Sequence, residues 1–507
     1  MRLPFPESIP FVPVFFFALL VCIIQQVQGT NPVFSLCCFA YILLATIAFN
    51  VAGGFTRTSG AYIFFNSVLG VIIGLCVKIF LSEAADSNLL VPVLTMGVNL
   101  LGMCMMLVAV YLSKKVRTKR ALMGKMVTDS NMQTATVGCL VAGVLMMFIG
   151  YVIPGGNGSV LSALNQLNRF YPLAIILGVI NTIRRSGGTR SVNLPVLLAG
   201  GLMFSNGVLG YSKEGMLGPF AAYVLAAASQ RYRISRTQIV GGILAVMFIF
   251  QYLVPYAQYG RTFREETGSA NLEVSLSLLS NLGYVRQQYL ETSGDAYEER
   301  VHGYYNTSQG FFDRLQMMSI DDSLNYQTEQ FGNYGLTPMV LAFENLVPHF
   351  IWKDKPQVLI GNIFAHEVGI LGEEDESTGV SFSSTATAFH LAGWKGLLFL
   401  APAVWFFLFL IFDSLCGDVR KIPWGLLVIV LYAHAAPEGD VTTIIYMCFY
   451  TVYAIVFAGI MGAYVMPIIG TFVIGPEGIM LRRGKPIRSI PNRLRPPVSS
   501  ETSPLRP

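Results

Sequence analysis

The sequence predicts an all-α polytopic membrane protein with about 12 transmembrane helices and one large helical extracytoplasmic loop. Three observations carry this prediction. Hydrophobic residues make up 53% of the 507 residues, whereas charged residues make up only 12%. Apolar runs of about 20 residues, enough to cross a bilayer, recur along the chain, and a lipid core requires such runs to be helical. Five basic clusters each follow an even-numbered run, as expected if they mark one side of a membrane.

Twelve apolar runs are candidate spans. The first begins after Arg2 and has no small-residue cleavage site, so we expect an uncleaved helix and not a signal peptide. The run from Val441 to Gly475 exceeds one perpendicular span, and a tilt, a break at Pro467 or an interfacial end would each accommodate it. The runs lie near residues 10–25, 33–53, 61–81, 89–112, 135–153, 166–183, 192–209, 216–229, 238–256, 396–413, 423–436 and 441–466.

The basic clusters orient these spans. Each follows an even-numbered run, so the positive-inside rule predicts that both termini are cytoplasmic. The chain then divides into transmembrane helices 1–9 (1–258), a large extracytoplasmic loop (259–393), transmembrane helices 10–12 (394–475) and a basic, disordered cytoplasmic tail (476–507). The clusters are "KKVRTKRALMGK" (114–125), "RRSGGTR" (184–190), "RYRISR" (231–236), "DVRK" (418–421) and "LRRGKPIRSIPNRLRP" (481–496) in the tail.

Metal and cysteine chemistry are not indicated. The eight cysteines lie in or beside apolar runs without the spacing of a zinc or redox site, which is typical of small core residues. The stretch "AHEVGI" (365–370) lacks the second histidine that an HExxH zinc helix needs. We therefore predict no structural metal and no cofactor.

Basic residues near the predicted outer ends of the spans indicate an anion site. "GYSKEG" (210–215) places Lys213 and Glu214 in a turn between two spans, and Arg261 and Arg264 lie just outside the ninth span. The positive-inside rule disfavours basic residues there, and guanidinium forks and lysines suit a bound diphosphate. Snorkelling lysines and contacts with anionic lipid headgroups are the alternatives. Further candidates for binding the diphosphate or glycan are Arg286, Arg314, His349, Lys353 and Lys355.

Proton transfer requires a group that can act as a base near neutral pH. All five histidines fall on the predicted outer side, and an imidazole has an ordinary pKa of about 6.5. We predict His390, Glu367 and His366 as catalytic residues. Each alone is more often a structural polar group than a catalyst, and their shared side of the membrane is the reason to consider them. Other candidates are His349, His434, Glu214, Glu344 and Glu438.

Two stretches resemble a known family. "LVPHFIWKDKP" (346–356) looks like a pattern of a proline, a basic residue, an aromatic and then Lys-Pro. "GVSFSSTATAFHLAGWKGLLF" (379–399) is similar to a pattern of small polar residues, an aromatic and a glycine-bearing turn into the next span. With the span count and the late outer loop, the chain resembles the bacterial repeat-unit polymerases of O-antigen and exopolysaccharide synthesis (Wzy-type).

The resemblance implies a reaction and a location. A glycan on an undecaprenyl-diphosphate carrier is transferred to another lipid-linked repeat unit at the outer face of the bacterial inner membrane, without metal or nucleotide sugar. Lys353, Lys355 and Pro356 match the Lys-Pro motif, and Gly393 and Gly396 match the turn. The implied partners are undecaprenyl-diphosphate-linked oligosaccharides and membrane lipid, with a chain-length regulator and a flippase as candidate protein partners. No nucleic acid is involved.

Other functions compete with the polymerase. O-antigen ligases share the topology and chemistry and differ in the acceptor. A polysaccharide or lipid-linked oligosaccharide transporter would show paired halves and charged residues within its spans, of which Lys78 is the clearest here. Glycosyltransferases that use a polyprenyl-phosphate sugar carry acids in the first outer loop, where this chain has "QQVQGTNP" (25–32). The order of expectation is polymerase, ligase and then transporter.

Overall fold

The computed structural model of the chain is all-helical over the residues that it describes, with one isolated β-bridge between Arg2 and Arg233. The described residues are 1–124, 126, 130–152, 167–263, 268–299, 303–307, 309–310, 312–348, 351–352, 355, 359–372, 374–376 and 378–475.

Helices of the first part of the chain form most of a bundle. Each of the nine corresponds to one predicted apolar run, so the prediction that these runs are helical is confirmed. They are α1 (Phe11–Val27), α2 (Pro32–Ala52), α3 (Thr58–Phe80), α4 (Pro92–Val116), α5 (Met132–Val152), α6 (Phe170–Arg185), α7 (Leu194–Leu209), α8 (Lys213–Ser229) and α9 (Arg236–Phe263).

In the described residues of the second part, five mostly polar or short helices precede three apolar ones. Seven helices, namely α2 to α5, α9, α15 and α17, are long and apolar enough to cross a membrane, as in a multi-pass membrane protein. Three shorter apolar helices, α1, α7 and α16, accompany them. The remaining helices are α10 (Gly268–Ser280), α11 (Leu282–Glu299), α12 (Met318–Phe331), α13 (Thr337–Glu344), α14 (Ile360–Glu367), α15 (Ser384–Cys416), α16 (Trp424–Glu438) and α17 (Val441–Ile474).

Prolines inside three long helices follow π-helical turns. Pro255, Pro402 and Pro467 each lie two residues beyond such a turn, at 249–253, 396–400 and 461–465. A proline has no N–H and its ring clashes with the carbonyl four residues back, whereas a π turn widens the helix at that point. For this reason α17 continues through Pro467 to its end, and the expected alternative of a break there is wrong.

Contacts at one end of the bundle bring the basic clusters together with the start of the chain. The Met1 amino group donates to the Ile234 carbonyl over 3.0 Å, and Arg420 pairs with Glu7. Lys114 Nζ donates over 3.1 Å to the carbonyl of Val51, in the last turn of α2. This end is called the basic end below.

Asp413 joins three helices near the basic end. Its carboxylate accepts from Thr58 Oγ1 over 2.9 Å and from Ser59 Oγ over 2.8 Å at the start of α3. Arg117, just beyond α4, donates to it over 3.0 Å. This buried charge is therefore matched by a cation and by hydroxyl donors, as buried charges require.

The described residues between 268 and 383, called the cap, pack at the opposite end. Two adjacent carboxylates of α12 hold it to the bundle. Asp322 accepts from Val91 N over 3.2 Å and from Thr95 Oγ1 over 2.7 Å, which caps α4. Asp321 accepts from Ser383 N over 3.0 Å at the start of α15. Carboxylates at helix N-termini satisfy free N–H groups and oppose the positive end of the dipole.

The cap also stabilises a kink in α15. Ala392 and Gly393 leave helical geometry, and Gly393 has φ 60° and ψ −146°, a left-handed conformation that favours glycine. The carbonyls released there accept from the cap, with Tyr334 N bonded to His390 O over 2.9 Å and Gly335 N bonded to Leu391 O over 3.1 Å. The kink lies at the glycine-bearing turn that the sequence singled out.

Candidate functional site

A cavity of about 2580 Å³ extends from the cap to the basic end between α8, α9 and α16. One face of α9 lines it from Gln238 to Arg261, which is about 35 Å at 1.5 Å per residue. Only 22% of the most apolar stretch of α9 is buried, against 50% for α2, α3 and α4. The cavity is therefore a groove beside a loosely packed helix, and its wall is apolar through residues such as Val224, Ile243 and Met247.

Four cationic side chains, Lys213, Arg261, Arg286 and Arg314, line the cap end of this groove and are called the cation cluster. A neutral amide links two of them. With the Gln258 amide oriented to suit its neighbours, its oxygen accepts from Lys213 Nζ over 2.9 Å and from an Arg314 guanidinium N–H. The sequence prediction that Lys213, Arg261 and Arg314 share a site is consistent with this placement.

The other two arginines are held by neutral groups as well. With the Gln251 amide also oriented to suit its neighbours, Arg286 donates through Nε to its oxygen over 3.2 Å. The Arg286 guanidinium lies 5.9 Å from the centre of the Tyr252 ring. Arg261 Nε donates to the Tyr211 carbonyl over 3.3 Å. These neutral partners fix the positions of the two arginines, and no acidic group of the described residues pairs with either.

The turn before α8 presents Lys213 to the groove. Tyr211 adopts φ 51°, its ring is fully buried, and its hydroxyl accepts from Ser275 Oγ over 2.9 Å. Gly260 packs directly against this ring. Only glycine fits at this position, because a Cβ there would lie 2.3 Å from a ring carbon. Ser212 then caps α8 by accepting from Gly215 N over 3.0 Å. Tyr211, whose strained backbone is held in place by α9 and the cap, therefore sets the position of Lys213.

Positive charge exceeds negative charge in the groove. Among the described residues, the charged lining consists of five cations, namely the cluster and Arg169, and of two acids, Glu214 and Glu438. No member of the cation cluster forms an ion pair with any residue in the part of the chain that the structure describes.

The excess charge acts on Lys213, which precedes the predicted span 216–229. Burial and the positive charges of Arg314 and Arg261 lower the pKa of Lys213 to about 7, although Glu438 opposes them. Uncompensated cations in a partly dehydrated site are costly, and a bound anion would remove that cost. The arrangement therefore favours an anion with more than one charge, attached to an apolar chain.

His390 and Glu367, two of the three predicted catalytic residues, lie together but outside the groove lining. His390 Nε2 is 3.1 Å from a Glu367 carboxylate oxygen, and His390 Nδ1 is 2.9 Å from Thr328 Oγ1. Thr328 Oγ1 also lies 2.8 Å from the Leu324 carbonyl oxygen, so the hydroxyl bridges that carbonyl and the ring. Both ring nitrogens of His390 are therefore engaged by protein groups.

Two other predicted site residues have structural partners. His366 Nε2 is 2.9 Å from the Asp375 carbonyl, which holds the loop after α14. Lys355 Nζ donates to the Asn345 and Val347 carbonyls over 3.0 and 2.8 Å and so closes the C-terminal end of α13. Neither side chain lines the groove.

Three predicted binding residues, Arg264, His349 and Lys353, lie outside the described residues, as does the tail 476–507. Among the residues that are described, no group of three or more His, Cys, Asp or Glu side chains comes together as metal ligands would.

Polar groups of α9 and the cap complete the site beyond the sequence prediction. Gln251 and Gln258 orient the arginines, and the Gln258 nitrogen donates to the Tyr289 hydroxyl over 2.6 Å. Their spacing was a usable signal, because two glutamines seven residues apart lie on one face of an otherwise apolar helix.

An imidazole and a carboxylate of α16 also line the groove. His434 Nδ1 lies 3.4 Å from a Glu438 carboxylate oxygen, and the two side chains are 53% and 34% exposed. Both residues were among the sequence candidates for proton transfer, ranked below His390.

Comparisons with protein-family models, with curated proteins and with solved structures give no match to this chain.

Proposed function

We propose that the protein is a polysaccharide polymerase that joins undecaprenyl-diphosphate-linked oligosaccharide repeat units at the outer face of the bacterial inner membrane. One observation carries the proposal: the cation cluster has no carboxylate partner among the described residues and lies at the head of a long apolar groove. A diphosphate with a polyisoprenoid tail matches both parts, since its charges fit the cluster and its hydrocarbon fits the groove.

The proposal assigns a topology to the bundle. The twelve predicted spans, each of them matched by a helix, cross the membrane, the basic end faces the cytoplasm and the cap lies outside. Basic clusters gather at one end and the cation cluster at the other. The positive-inside rule accounts for the basic clusters at the cytoplasmic end. The cation cluster at the outer end runs against the rule, which supports a role for it in ligand binding.

The reaction needs little beyond positioning and charge stabilisation. The acceptor hydroxyl oxygen forms a bond to the anomeric carbon of the donor glycan, and the bond from that carbon to the diphosphate oxygen breaks. The lipid diphosphate leaves with the electron pair, and the hydroxyl proton passes to a base. Guanidinium groups that stabilise the departing diphosphate lower the barrier, because charge develops there in the transition state.

The acceptor separates the polymerase from the ligase. Both would use the same donor site, so the cation cluster supports either enzyme. The resemblance of residues 346–356 and 379–399 to the repeat-unit polymerases places the polymerase first. A transporter would bind the same lipid but would not cleave the glycosidic phosphate bond.

Reconstitution tests this function. The protein in nanodiscs, given undecaprenyl-diphosphate-linked repeat units with EDTA and no nucleotide sugar, should produce lipid-linked oligomers in ladder form and release undecaprenyl diphosphate. Transfer only to a lipid A core acceptor would identify a ligase. Intact substrate under both conditions, in a preparation that binds the lipid, would contradict an enzymatic role.

A further inference from the structure

The groove holds one histidine among its described lining residues, His434, and it lies close to the cation cluster. Its partner Glu438 is near enough to Lys213 for its negative charge to oppose the lowering of the Lys213 pKa. His434 and Glu438, called the dyad below, therefore face the same space as the cation cluster. The dyad lies on α16, and the cluster lies on α8, α9 and the cap.

The end of α16 that carries the dyad is held rigidly. His434 and Glu438 are one helical turn apart, which places their side chains on the same face of α16. Asn66 Nδ2 of α3 donates to the Ala436 carbonyl over 3.0 Å and anchors the end of the helix. Gly439 follows directly, and a Cβ at that position would lie 2.3 Å from the Ala435 carbonyl oxygen. This end of α16 is therefore held by packing and by a buried hydrogen bond.

The contacts of the imidazole suit a base. Glu438 lies 3.4 Å from Nδ1, and a proton on that nitrogen leaves the lone pair on Nε2 of a half-exposed ring that lines the groove. A carboxylate on Nδ1–H also stabilises the imidazolium that forms after proton uptake. His390 differs, because it is fully buried and both of its nitrogens are engaged.

We infer that His434, oriented by Glu438, is the general base that deprotonates the acceptor sugar hydroxyl. The inference rests on the proposed glycosyl transfer. As the acceptor oxygen bonds to the anomeric carbon and the diphosphate departs toward the cluster, the hydroxyl proton moves to His434 Nε2. The acceptor therefore enters from the α16 side of the groove, opposite the donor phosphates.

Kinetics of variants test the assignment. H434A should keep its affinity for undecaprenyl diphosphate within about twofold, because the cation cluster is unchanged. Its single-turnover transfer rate should fall by about 10²- to 10⁴-fold, the range typical of a lost general base. E438Q should lose less, about tenfold or more, since the base stays in place without its orienting charge. The exposed E329Q on α12 is the matched carboxylate control and should transfer at the wild-type rate.

One further readout separates a base from a structural residue. Added imidazole should restore part of the H434A transfer rate, because a diffusible base can accept the hydroxyl proton in the space that the side chain vacates, and it should leave the wild-type rate unchanged.

The failure of this inference differs from the failure of the proposed function. If wild-type protein transfers glycan and H434A transfers at a similar rate without added imidazole, His434 is not the base. If wild-type protein binds the lipid and transfers nothing, the proposed reaction itself is wrong.

Discussion

Two regions of the molecule treat buried charge in opposite ways. Around His390, every polar atom of the imidazole has a partner, Glu367 on one side and Thr328 on the other. In the cation cluster, Lys213 and Arg314 share one neutral amide oxygen, with no carboxylate bonded to either in the described part of the chain. Both regions were expected to belong to one site, and the structure separates them.

The difference indicates which region awaits a ligand. A paired buried charge has already exchanged its hydration for protein contacts, so it stabilises a particular packing of helices. A group of like charges with neutral partners destabilises the protein until an anion arrives. We therefore expect substitutions in the cation cluster to reduce ligand binding and activity, and substitutions around His390 to reduce stability.

The largest effect is expected from removing two members of the cluster. K213M combined with R314Q deletes two charge-assisted contacts to the donor diphosphate, worth about 1.5–3 kcal/mol each. Transfer should fall by about 10²- to 10⁴-fold at subsaturating donor, since 1.4 kcal/mol is a factor of ten. The melting temperature, measured in the same nanodiscs, should stay level or rise because charge repulsion is relieved. A marked drop in melting temperature would assign the cluster a structural role.

The reverse pattern is expected for the paired region. H390A removes the fully buried imidazole and its contacts with Glu367 and Thr328, although Gln327 still donates to Glu367 and Thr328 to the Leu324 carbonyl. The loss in unfolding free energy should be about 1–3 kcal/mol. Unfolding by denaturant should show this loss. The double variant H390M/E367M removes both partners and should recover most of the stability, with transfer per folded molecule close to wild type. An inactive but fully stable H390A would instead restore His390 as a catalytic residue.

A moderate effect is expected from pH. The pKa of Lys213 is lowered to about 7 in the free site. A bound diphosphate favours the charged form of the lysine and so raises that pKa. Above pH 7 binding must therefore take up a proton, and affinity should fall by up to about tenfold per pH unit. Below pH 7 the lysine is already charged and affinity should be level. K213R, which stays protonated, should show no such slope in calorimetry, and an identical slope in K213R would exclude Lys213 as its source.

The smallest effect is expected at Lys355. K355M removes two hydrogen bonds to carbonyls, but Tyr450 Oη still donates to the Asn345 carbonyl over 2.9 Å. The cost in unfolding free energy should be about 1 kcal/mol. Transfer per folded molecule should stay within about twofold of wild type. A 100-fold loss of donor affinity would place Lys355 in the diphosphate site, as its Lys-Pro motif suggested.

Apolar runs and basic clusters predicted much of the helical framework. Each run became a helix because backbone hydrogen bonding in an apolar environment leaves few alternatives. The one large disagreement is α15, predicted to start near residue 396 and found to start at Ser384. Residues 384–388 are small and partly polar, and the stretch 384–391 is buried, which a hydropathy pattern does not reveal.

The site was predictable only in part. Lys213, Arg261 and Arg314 stood out because basic residues are unusual at that end of a span. The choice of His390 over His434 could not be settled from the sequence, because it depends on where Thr328 and Glu367 lie in the fold. Residues separated by 62 and 23 positions form that cluster, and no local pattern joins them.

Direct lipid binding tests the central claim, that the cation cluster and its groove hold a diphosphate lipid. Wild-type protein in neutral-lipid nanodiscs should bind undecaprenyl diphosphate at least about 100-fold more tightly than uncharged undecaprenol, as expected for two charge-assisted contacts. Salt should weaken this preference, and K213M/R314Q should lose it. Equal affinity for the two lipids, unaffected by salt or by the double substitution, would contradict the account.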